Sequence, residues 1–315
     1  MPLDVAVVMD PIESITIKKD STFAMLLEAQ ARGQRLWYAL PGSLCLRGGE
    51  AMARLSRLQV REDSANWFTL DAPRLRPLGE LDAILMRKDP PVDAQYVHDT
   101  QILSLAATQG ARVVNDPQGL RDMNEKLFAL HFPELCPPTL VSRDAAALRE
   151  FVDLHGDCVF KPLDGMGGRS IFRVRRGEDN LNVIIETLTR NGVELALAQA
   201  FVPAIAQGDK RVLLVDGEPV PYCLARIPGA SDFRGNLAAG GRGVAQPLGE
   251  DDYRIAAAVG PEMVRRGMLF VGLDVIGDRL TEVNVTSPTC IREIDAQCGT
   301  RIAGLLLDRI EALCR

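Results

Sequence analysis

The chain has 315 residues, of which 47% are hydrophobic and 25% are charged, and its formal net charge is -6 at pH 7. The length exceeds the usual size of one domain, and the composition is that of an ordinary globular protein, which excludes disordered and fibrous classes. The acidic balance disfavours nucleic acid and anionic membranes as partners, because both favour a broad basic surface.

The amino terminus and the cysteines bear on where the protein works. The chain does not open with a basic segment followed by a long apolar run, which a signal peptide would have. No later segment contains about 18 uninterrupted apolar residues, the length of a membrane-spanning helix, so the sequence predicts a cytoplasmic protein. The 7 cysteines are an odd number without CxxC spacing, which indicates neither a disulfide framework nor a zinc site. The 3 histidines have no neighbouring ligand or nucleophile, so nothing points to histidine catalysis.

The first part of the chain alternates apolar runs with helical periodicity. The pattern predicts strands at 3–9, 35–40, 81–86 and 113–114, helices at 22–32 and 93–109, and hairpin-like segments between the second and third strands. Such alternation indicates a parallel sheet covered by helices. We therefore predict an N-terminal parallel α/β domain over residues 1–120.

The pattern changes after residue 120. A helix is predicted from 124, then strands at 139–141, 159–162, 170–174 and 194–202, with helices at 144–155 and 181–190. Strands at 211–215 and 219–226 flank Asp216-Gly217, a strong hairpin signal. Beyond the long loop 229–243, the sequence predicts a helix at 251–266, a hairpin around Gly277-Asp278 and a helix at 300–313.

Lys161 and the glycines after it form the first stretch that suggests chemistry. FKPLDGMGG places a lysine at the end of a strand and three glycines after it. Glycines let backbone N–H groups approach phosphate oxygens, and the ammonium supplies a point charge. The stretch is neither a Walker A motif nor GxGxxG, and a plain glycine-rich hairpin turn is the alternative.

The hairpin around Gly277-Asp278 carries oxygen ligands. Strand alternation puts Glu282 and Asn284 on one face, where they suit a hard cation. A two-residue turn would pair position 274 with 281 and send Asp274 to the other face, whereas a three-residue loop ending at Arg279 would pair it with 282. The metal interpretation therefore predicts the three-residue loop. A solvated strand face is the alternative, although apolar flanks disfavour it.

The loop 229–243 is rich in glycine and contains two arginines, with a third just before it. A loop of that length in a compact enzyme is usually a lid or a disordered segment. Arginines over a phosphate site would neutralise developing charge and exclude water, while an exposed loop kept soluble by its charges is the alternative. The arginines are Arg226, Arg234 and Arg242.

Taken together, these stretches resemble a known family. The segments are MDPIESITIKKDSTFAMLLEAQ, LMRKDPP, NEKLF, KPLDGMGG, DGEPVPYCLARIP, RGNLAAGGRG, FVGLD and TEVNVTSPTCIREI. They look like the corresponding stretches of bacterial glutathione synthetases, in the same order and over essentially the whole chain, with 42–77 and 229–233 the least similar. The resemblance implies an ATP-grasp fold over 121–315, in which subdomains at about 124–202 and 203–315 clasp the nucleotide and residues 227–243 form a lid.

The resemblance also implies roles for individual residues. ATP is expected at Lys126, Lys161, Gly165, Met166, Gly167, Gly168, Gln199, Ala200, Phe201, Val202 and Asp209. Charge at the reaction centre is expected to be balanced by Arg211, Arg226, Arg234 and Arg242, and Mg²⁺, with Mn²⁺ as a substitute, to be held by Asp274, Glu282 and Asn284. Peptide-substrate contacts are implied for Lys18, Arg87, Ser287, Pro288 and Thr289. For Lys18 and Arg87 a surface or interdomain salt bridge is an equal alternative.

The implied reaction joins glycine to γ-glutamylcysteine. ATP phosphorylates the cysteinyl carboxylate, and the amine of glycine attacks the acyl phosphate to give glutathione, ADP and phosphate. Such chemistry depends on positioning and electrostatics, which agrees with the lack of usable histidines. Another ATP-grasp carboxylate-amine ligase and a non-catalytic nucleotide-binding scaffold are the alternatives. The resemblance alone implies a homotetramer.

Overall fold

Three β-sheets and the helices that cover them make up the described part of the chain. The structure is a computed structural model that describes residues 1–229, 232–235, 237 and 240–315. The strands are β1 Asp4–Val8, β2 Arg35–Ala39, β3 Leu44–Arg47, β4 Glu50–Val60, β5 Phe68–Leu70, β6 Arg74–Pro77, β7 Ala83–Met86, β8 Arg112–Val114, β9 Thr139–Ser142, β10 Asp157–Pro162, β11 Phe172–Arg175, β12 Ala196–Ala200, β13 Asp209–Val215, β14 Glu218–Ile227, β15 Arg242–Pro247, β16 Phe270–Ile276 and β17 Arg279–Asn284. The helices are α1 Ser21–Ala31, α2 Ala94–Thr108, α3 Pro117–Asp122, α4 Ala145–His155, α5 Leu181–Thr189, α6 Glu250–Arg265, α7 Ile291–Cys298 and α8 Ile302–Leu313.

The first sheet combines parallel and antiparallel strands in the order β3-β4-β2-β1-β7-β8. The predicted parallel core is present, since β1 runs parallel to β2 and β7, and β7 runs parallel to β8. The strand β4 is antiparallel to β2, β3, β5 and β6. The C-terminal helix α8 packs here, because Leu306 and Leu307 share an apolar core with Phe23 and Leu26 of α1. The C-terminal helix α8 therefore stabilises α1 and the first sheet.

The second sheet has the order β11-β10-β12-β9 and is antiparallel. Phe160 and Ala198 point into a core formed with α4 and α5. Because side chains alternate along a strand, their neighbours Lys161 and Gln199 point to the opposite face. That face forms one wall of the candidate site.

The third sheet has the order β15-β14-β13-β16-β17, also antiparallel. The predicted hairpin at Asp216-Gly217 joins β13 to β14. Its register sets Arg226 opposite Asp209, while Arg211 lies opposite Asp274 on β16. This sheet therefore carries most of the charged groups predicted for the site.

One prediction of secondary structure fails, and another is wrong only at its boundary. The helix predicted from Asn124 is wrong. The Asn124 carboxamide oxygen caps the N–H groups of Lys126 and Leu127, both at 3.1 Å, but only short 3-10 turns follow, and Pro133 lacks the N–H that a continuing helix would need. The loop predicted for 229–243 ends two residues earlier than expected, because Arg242 and Gly243 begin β15, which pairs with β14. The helix α7 had not been predicted. Among the described residues, no helix is both long enough and apolar enough to cross a membrane.

Candidate nucleotide and substrate site

A cleft of about 980 Å³ lies between the second and third sheets. Apolar side chains line one end, namely Val159, Ile171, Phe201, Val202, Ile205 and Ile276. Charged and amide side chains line the other, namely Lys126, Lys161, Asp209, Arg211, Arg234, Asp274, Glu282 and Asn284. A long polar ligand with one flat apolar end, such as a nucleotide, matches this division.

A second cavity of about 710 Å³ adjoins the charged end, and Glu125, Arg211 and Asn284 line both spaces. It extends to Asp89 of the N-terminal domain. Two ligands could therefore meet beside Arg211, one from each cavity.

The lysines at the charged end hold the glycine turn and the hairpin β16–β17. Lys161 Nζ lies 3.2 Å from Glu282 Oε1. Lys126 Nζ donates to the carbonyl of Leu163 at 3.2 Å and to that of Gly165 at 2.7 Å. Both ammonium groups thus point to the place where the turn meets the cleft, which suits them to bind phosphate oxygens.

The turn itself needs glycine. Gly167 and Gly168 have φ values of 65° and 81°, which glycine adopts without steric cost. At Gly165 an added Cβ would lie 2.9 Å from Pro162 Cγ. Gly165, Met166, Gly167 and Gly168 all line the cleft, so the turn covers the lysines.

The predicted convergence of Asp274 and Glu282 is present, but the predicted loop is wrong. The turn contains two residues, since Ile276 pairs with Arg279. A bulge restores the pairing of Asp274 with Glu282, because the register shifts after Val275. The bulged residue is Thr281, which the sequence pattern did not single out.

Two arginines hold Asp274. Arg211 Nε lies 2.6 Å from Asp274 Oδ1, and Arg226 Nη2 lies 2.8 Å from Oδ2. Although burial pushes the pKa of Asp274 upward, these guanidinium groups outweigh it and hold that pKa well below its usual value. Arg226 also contacts Asp209 at 2.6 Å, but burial still raises the pKa of Asp209 to about 6.

A divalent metal fits Glu282 and Asn284 better than Asp274. Both side chains face the cleft and offer oxygen atoms, the donors that hard cations prefer. The Asn284 amide nitrogen is buried and has no hydrogen-bond partner among the described residues, so it can donate to a ligand oxygen such as that of a phosphate, while the amide oxygen is the atom that would bind the metal. Burial opposes ionisation of Glu282, but Lys126 and Lys161 lower its pKa and keep it anionic. Asp274 already contacts two arginines through its two oxygens.

The apolar end is built around β12. The Ala200 N–H donates to the carbonyl of Pro138 and the Phe201 N–H to that of Asp157, both at 2.9 Å. Arg173 stacks on the Phe201 ring at 3.5 Å. These contacts fix the segment predicted to bind adenine.

One part of the predicted lid reaches the cleft. Arg234 Nη1 donates to the carbonyl of Gly168 at 2.7 Å, and its Nη2 lies 2.6 Å from Asp232. Arg242 is instead exposed at the start of β15, opposite Ile227, and does not join the cluster. The lid residues Ala230, Ser231, Asn236, Ala238 and Ala239 lie outside the described part of the chain.

The predicted peptide contacts divide into two groups. Ser287 and Thr289 line the second cavity, whereas Arg87 is buried, and its Nη2 donates to the carbonyl of Pro288 at 2.8 Å. Arg87 therefore holds the segment 287–289 in place from the protein interior and does not line the cavity itself. Lys18 is exposed and is not among the residues that line either cavity in the described part of the chain.

Glu125 belongs to the site, although no sequence pattern singled it out. It lines both cavities and accepts a hydrogen bond from Thr286 at 2.7 Å, while burial raises its pKa. Its position directly before Lys126 in NEKLF was the available signal. The sequence gives no sign of the contact between Glu125 and Thr286, because these residues are 161 positions apart.

Sequence comparison identifies relatives over nearly the whole chain. Residues 3–121 match the family model "Prokaryotic glutathione synthetase, N-terminal domain", and residues 125–299 match "Prokaryotic glutathione synthetase, ATP-grasp domain". A glutathione synthetase of Xanthomonas campestris pv. campestris is 68% identical over 312 residues, covering 99% of each chain. One of Yersinia pestis is 58% identical and covers 98% of this chain and 97% of its own.

Solved structures share the fold at low identity. The D-cycloserine synthetase DcsG aligns with a TM-score of 0.66 at 17% identity, covering 98% of this chain and 99% of its own. A RimK domain ATP-grasp protein from Sphaerobacter thermophilus aligns with a TM-score of 0.63 at 19% identity, covering 97% of this chain and 98% of its own. These alignments establish the ATP-grasp architecture.

Proposed function

Since the chain belongs to the prokaryotic glutathione synthetase family, we infer that it is an ATP-dependent ligase that makes glutathione. As a member of this family it uses ATP with a divalent metal ion and acts on small molecules. Within the structure, the main support is that the ammonium groups of Lys126 and Lys161 both lie within 4 Å of the Glu282 carboxylate at the charged end of one cleft.

We propose a reaction in two steps. A cysteinyl carboxylate oxygen of γ-glutamylcysteine attacks the γ-phosphorus of ATP, and ADP leaves. The amine of glycine then attacks the acyl carbon, the bond to phosphate breaks, and the amine loses a proton. The first cavity suits ATP, and the adjoining one suits the peptide, so the two meet beside Arg211.

Each part of the cleft has a proposed task. Lys126, Lys161 and the turn 165–168 bind the phosphates, and residues 199–202 bind the base. Arg211 and Arg226 face the second cavity and balance the charge of the peptide carboxylate and the transferring phosphoryl group. Ser287 and Thr289 contact the peptide, while Arg87 supports them through Pro288.

The metal is proposed to be Mg²⁺, with Mn²⁺ as a substitute. Glu282 and Asn284 would hold it, and Asp274 would join them only if it exchanged an arginine contact. When bound, the ion neutralises phosphate charge during transfer.

Residues 227–243 are proposed to close over the acyl phosphate and exclude water. The contact of Arg234 with the Gly168 carbonyl supports this, because it joins the lid to the glycine turn across the cleft. Arg242 would have to leave its exposed position to take part.

The organisation of the chain is also a proposal. Residues 1–120 form the N-terminal domain and residues 121–315 the ATP-grasp domain, with its subdomains at about 124–202 and 203–315. The family relationship further suggests a cytoplasmic homotetramer.

One coupled assay tests the function. Purified protein with ATP and Mg²⁺ should release ADP and form glutathione with γ-glutamylcysteine plus glycine. Alanine or glutamate in place of glycine should give little ADP. ADP release with another acceptor, but not with glycine, would assign a different ATP-grasp ligase, and tight ATP binding without turnover would indicate a scaffold.

A further inference from the structure

We propose that Thr139 sets the base specificity of the nucleotide site by fixing the side-chain amide of Gln199, so that a 6-aminopurine is accepted and a 6-oxopurine is disfavoured. The inference rests on the proposed function, because it assumes that the apolar end of the cleft takes the base. It adds a positioning residue that the sequence motifs do not indicate.

Gln199 faces the cleft rather than the core. It lies on β12 between Ala198, which packs in the core, and Ala200, and it pairs with Val159 of β10 on one side and Thr139 of β9 on the other. Only 6% of Gln199 is exposed, so its amide is held in a desolvated position where hydrogen bonds discriminate strongly.

A short relay of hydrogen bonds determines which way the amide points. The Thr139 hydroxyl donates to the carbonyl of Pro137 at 2.8 Å. Since a hydroxyl has a single proton, Thr139 can only accept from Gln199, whose Nε2 donates to it at 3.0 Å. The amide nitrogen therefore faces Thr139, and the Gln199 oxygen is left as an acceptor.

A second acceptor lies next in the chain. The Ala200 N–H donates to the carbonyl of Pro138, but proline has no N–H with which to return the bond. The Ala200 carbonyl thus gains no hydrogen bond from Pro138. The Gln199 side-chain oxygen and the Ala200 carbonyl are both acceptors, which suits the 6-amino group of adenine because that group donates. The 6-oxo group of hypoxanthine is itself an acceptor, so it would leave these buried oxygens without hydrogen bonds.

The experiment compares ATP with inosine triphosphate in the full-length protein. Thr139→Val keeps the shape of the side chain but removes the hydroxyl, which frees the Gln199 amide to turn and offer its NH₂ group. We expect the ratio of kcat/KM for ATP over inosine triphosphate to fall at least about ten-fold. Thr139→Ser keeps the relay and should retain the wild-type ratio. Calorimetric binding of the two nucleotides without the other substrates should show the same change.

Repeating the Thr139→Val substitution in a Gln199→Glu variant shows whether its effect comes from the orientation of the Gln199 amide or from the packing of residue 139. In Gln199→Glu both carboxylate oxygens accept, so the side chain has no wrong orientation, and adding Thr139→Val should change the ratio less than about two-fold. If Thr139→Val does not fold, Gln199→Glu alone still tests the idea, since it should keep the preference for ATP. An unchanged ratio in folded Thr139→Val, or a loss of preference in Gln199→Glu, would overturn the inference. Wild-type protein that forms no glutathione would instead overturn the proposed function.

Discussion

Asp274 lies directly opposite Glu282 across the hairpin β16–β17, although the turn between these strands contains only two residues. Thr281 accounts for the pairing, because it is bulged out of the ladder and its hydroxyl donates to the carbonyl of Asp274 at 3.1 Å. The bulge brings both carboxylates to the cleft face. It also leaves Glu282 close to Lys161 and Asp274 close to Arg211, so the hairpin holds two separate ion pairs.

Glu282→Gln should abolish metal-dependent turnover and leave the fold intact. The substitution keeps the size of the side chain but removes the charge that a divalent cation requires. We expect ligation to fall at least about 100-fold at saturating Mg²⁺. The Mg²⁺ dependence of ADP release measures this effect, and thermal unfolding measures stability.

Asp278→Asn is the matched control, because it removes a carboxylate from the exposed tip of the same hairpin. It should leave both activity and Mg²⁺ dependence unchanged. Near-normal turnover in Glu282→Gln would remove this residue from the metal site.

Gly272→Ala should impair activity by displacing Arg211. A Cβ on Gly272 would lie 2.8 Å from Arg211 Cδ, and the guanidinium of that arginine is fixed by Asp274. Because small misplacements of a positioning group are costly, we expect ligation to fall at least about ten-fold. Binding of ATP, measured by calorimetry, should change much less.

Gly42→Ala controls for the added methyl group, since nothing lies within 4 Å of the Cβ position there. It should ligate at the wild-type rate. If Gly272→Ala did the same, close packing of Arg211 against β16 would not matter for the reaction.

Asp209 should make stability fall as the pH rises through the acidic range. Burial raises the pKa of Asp209 from its usual value of 3.8 to about 6 in the folded protein, so between these values the native state holds a proton that the unfolded chain has lost. The free energy of unfolding then decreases with rising pH, by about 3 kcal/mol in total. Above about pH 6 the loss is complete.

Urea unfolding of Asp209→Asn at several pH values checks this. The variant should lack the decrease between pH 3.8 and 6 that Asp209 contributes. Parallel profiles for variant and wild type would show that Asp209 is ionised throughout, with Arg226 outweighing burial.

The parts of the fold that were predicted correctly depend on local pattern. The parallel strand β7 is an uninterrupted apolar run, β1 is apolar after Asp4, and Asp216-Gly217 marks its hairpin through turn chemistry alone. The helix expected from Asn124 failed although Asn124 caps the first N–H groups of the segment, because the segment reaches Pro133 after two turns and forms only short 3-10 turns. A capping signal predicts where a helix can begin, but not that it will continue.

The site was less accessible to sequence reasoning because it depends on register between distant strands. The motifs led to Lys161, Asp274 and Glu282, but no local pattern shows that Thr281 bulges or that Arg226 contacts both Asp209 and Asp274. Resemblance also placed Arg242 and Lys18 in the site, and the structure leaves both exposed.

The lid should be required for ligation but not for ATP binding. Arg234 contacts the Gly168 carbonyl from across the cleft, so the segment around it can cover the phosphates. Replacing 227–243 with a short glycine linker should spare ATP binding and reduce glutathione formation severely. Any remaining ATP consumption should become uncoupled from glutathione, because water can reach the acyl phosphate.

Limited trypsin digestion tests the same lid independently. Without substrates, cleavage should occur first after Arg234, because among the described residues its side chain contacts just Asp232 and the Gly168 carbonyl, whereas Arg242 lies in β15 opposite Ile227. ATP and γ-glutamylcysteine together should protect the site, since closure would bring Arg234 onto phosphate charge. Arg234→Gln removes this cleavage point and serves as the control. A segment that resists trypsin without ligands, together with a linker variant that still ligates efficiently, would show that residues 227–243 are a surface loop with no part in the reaction.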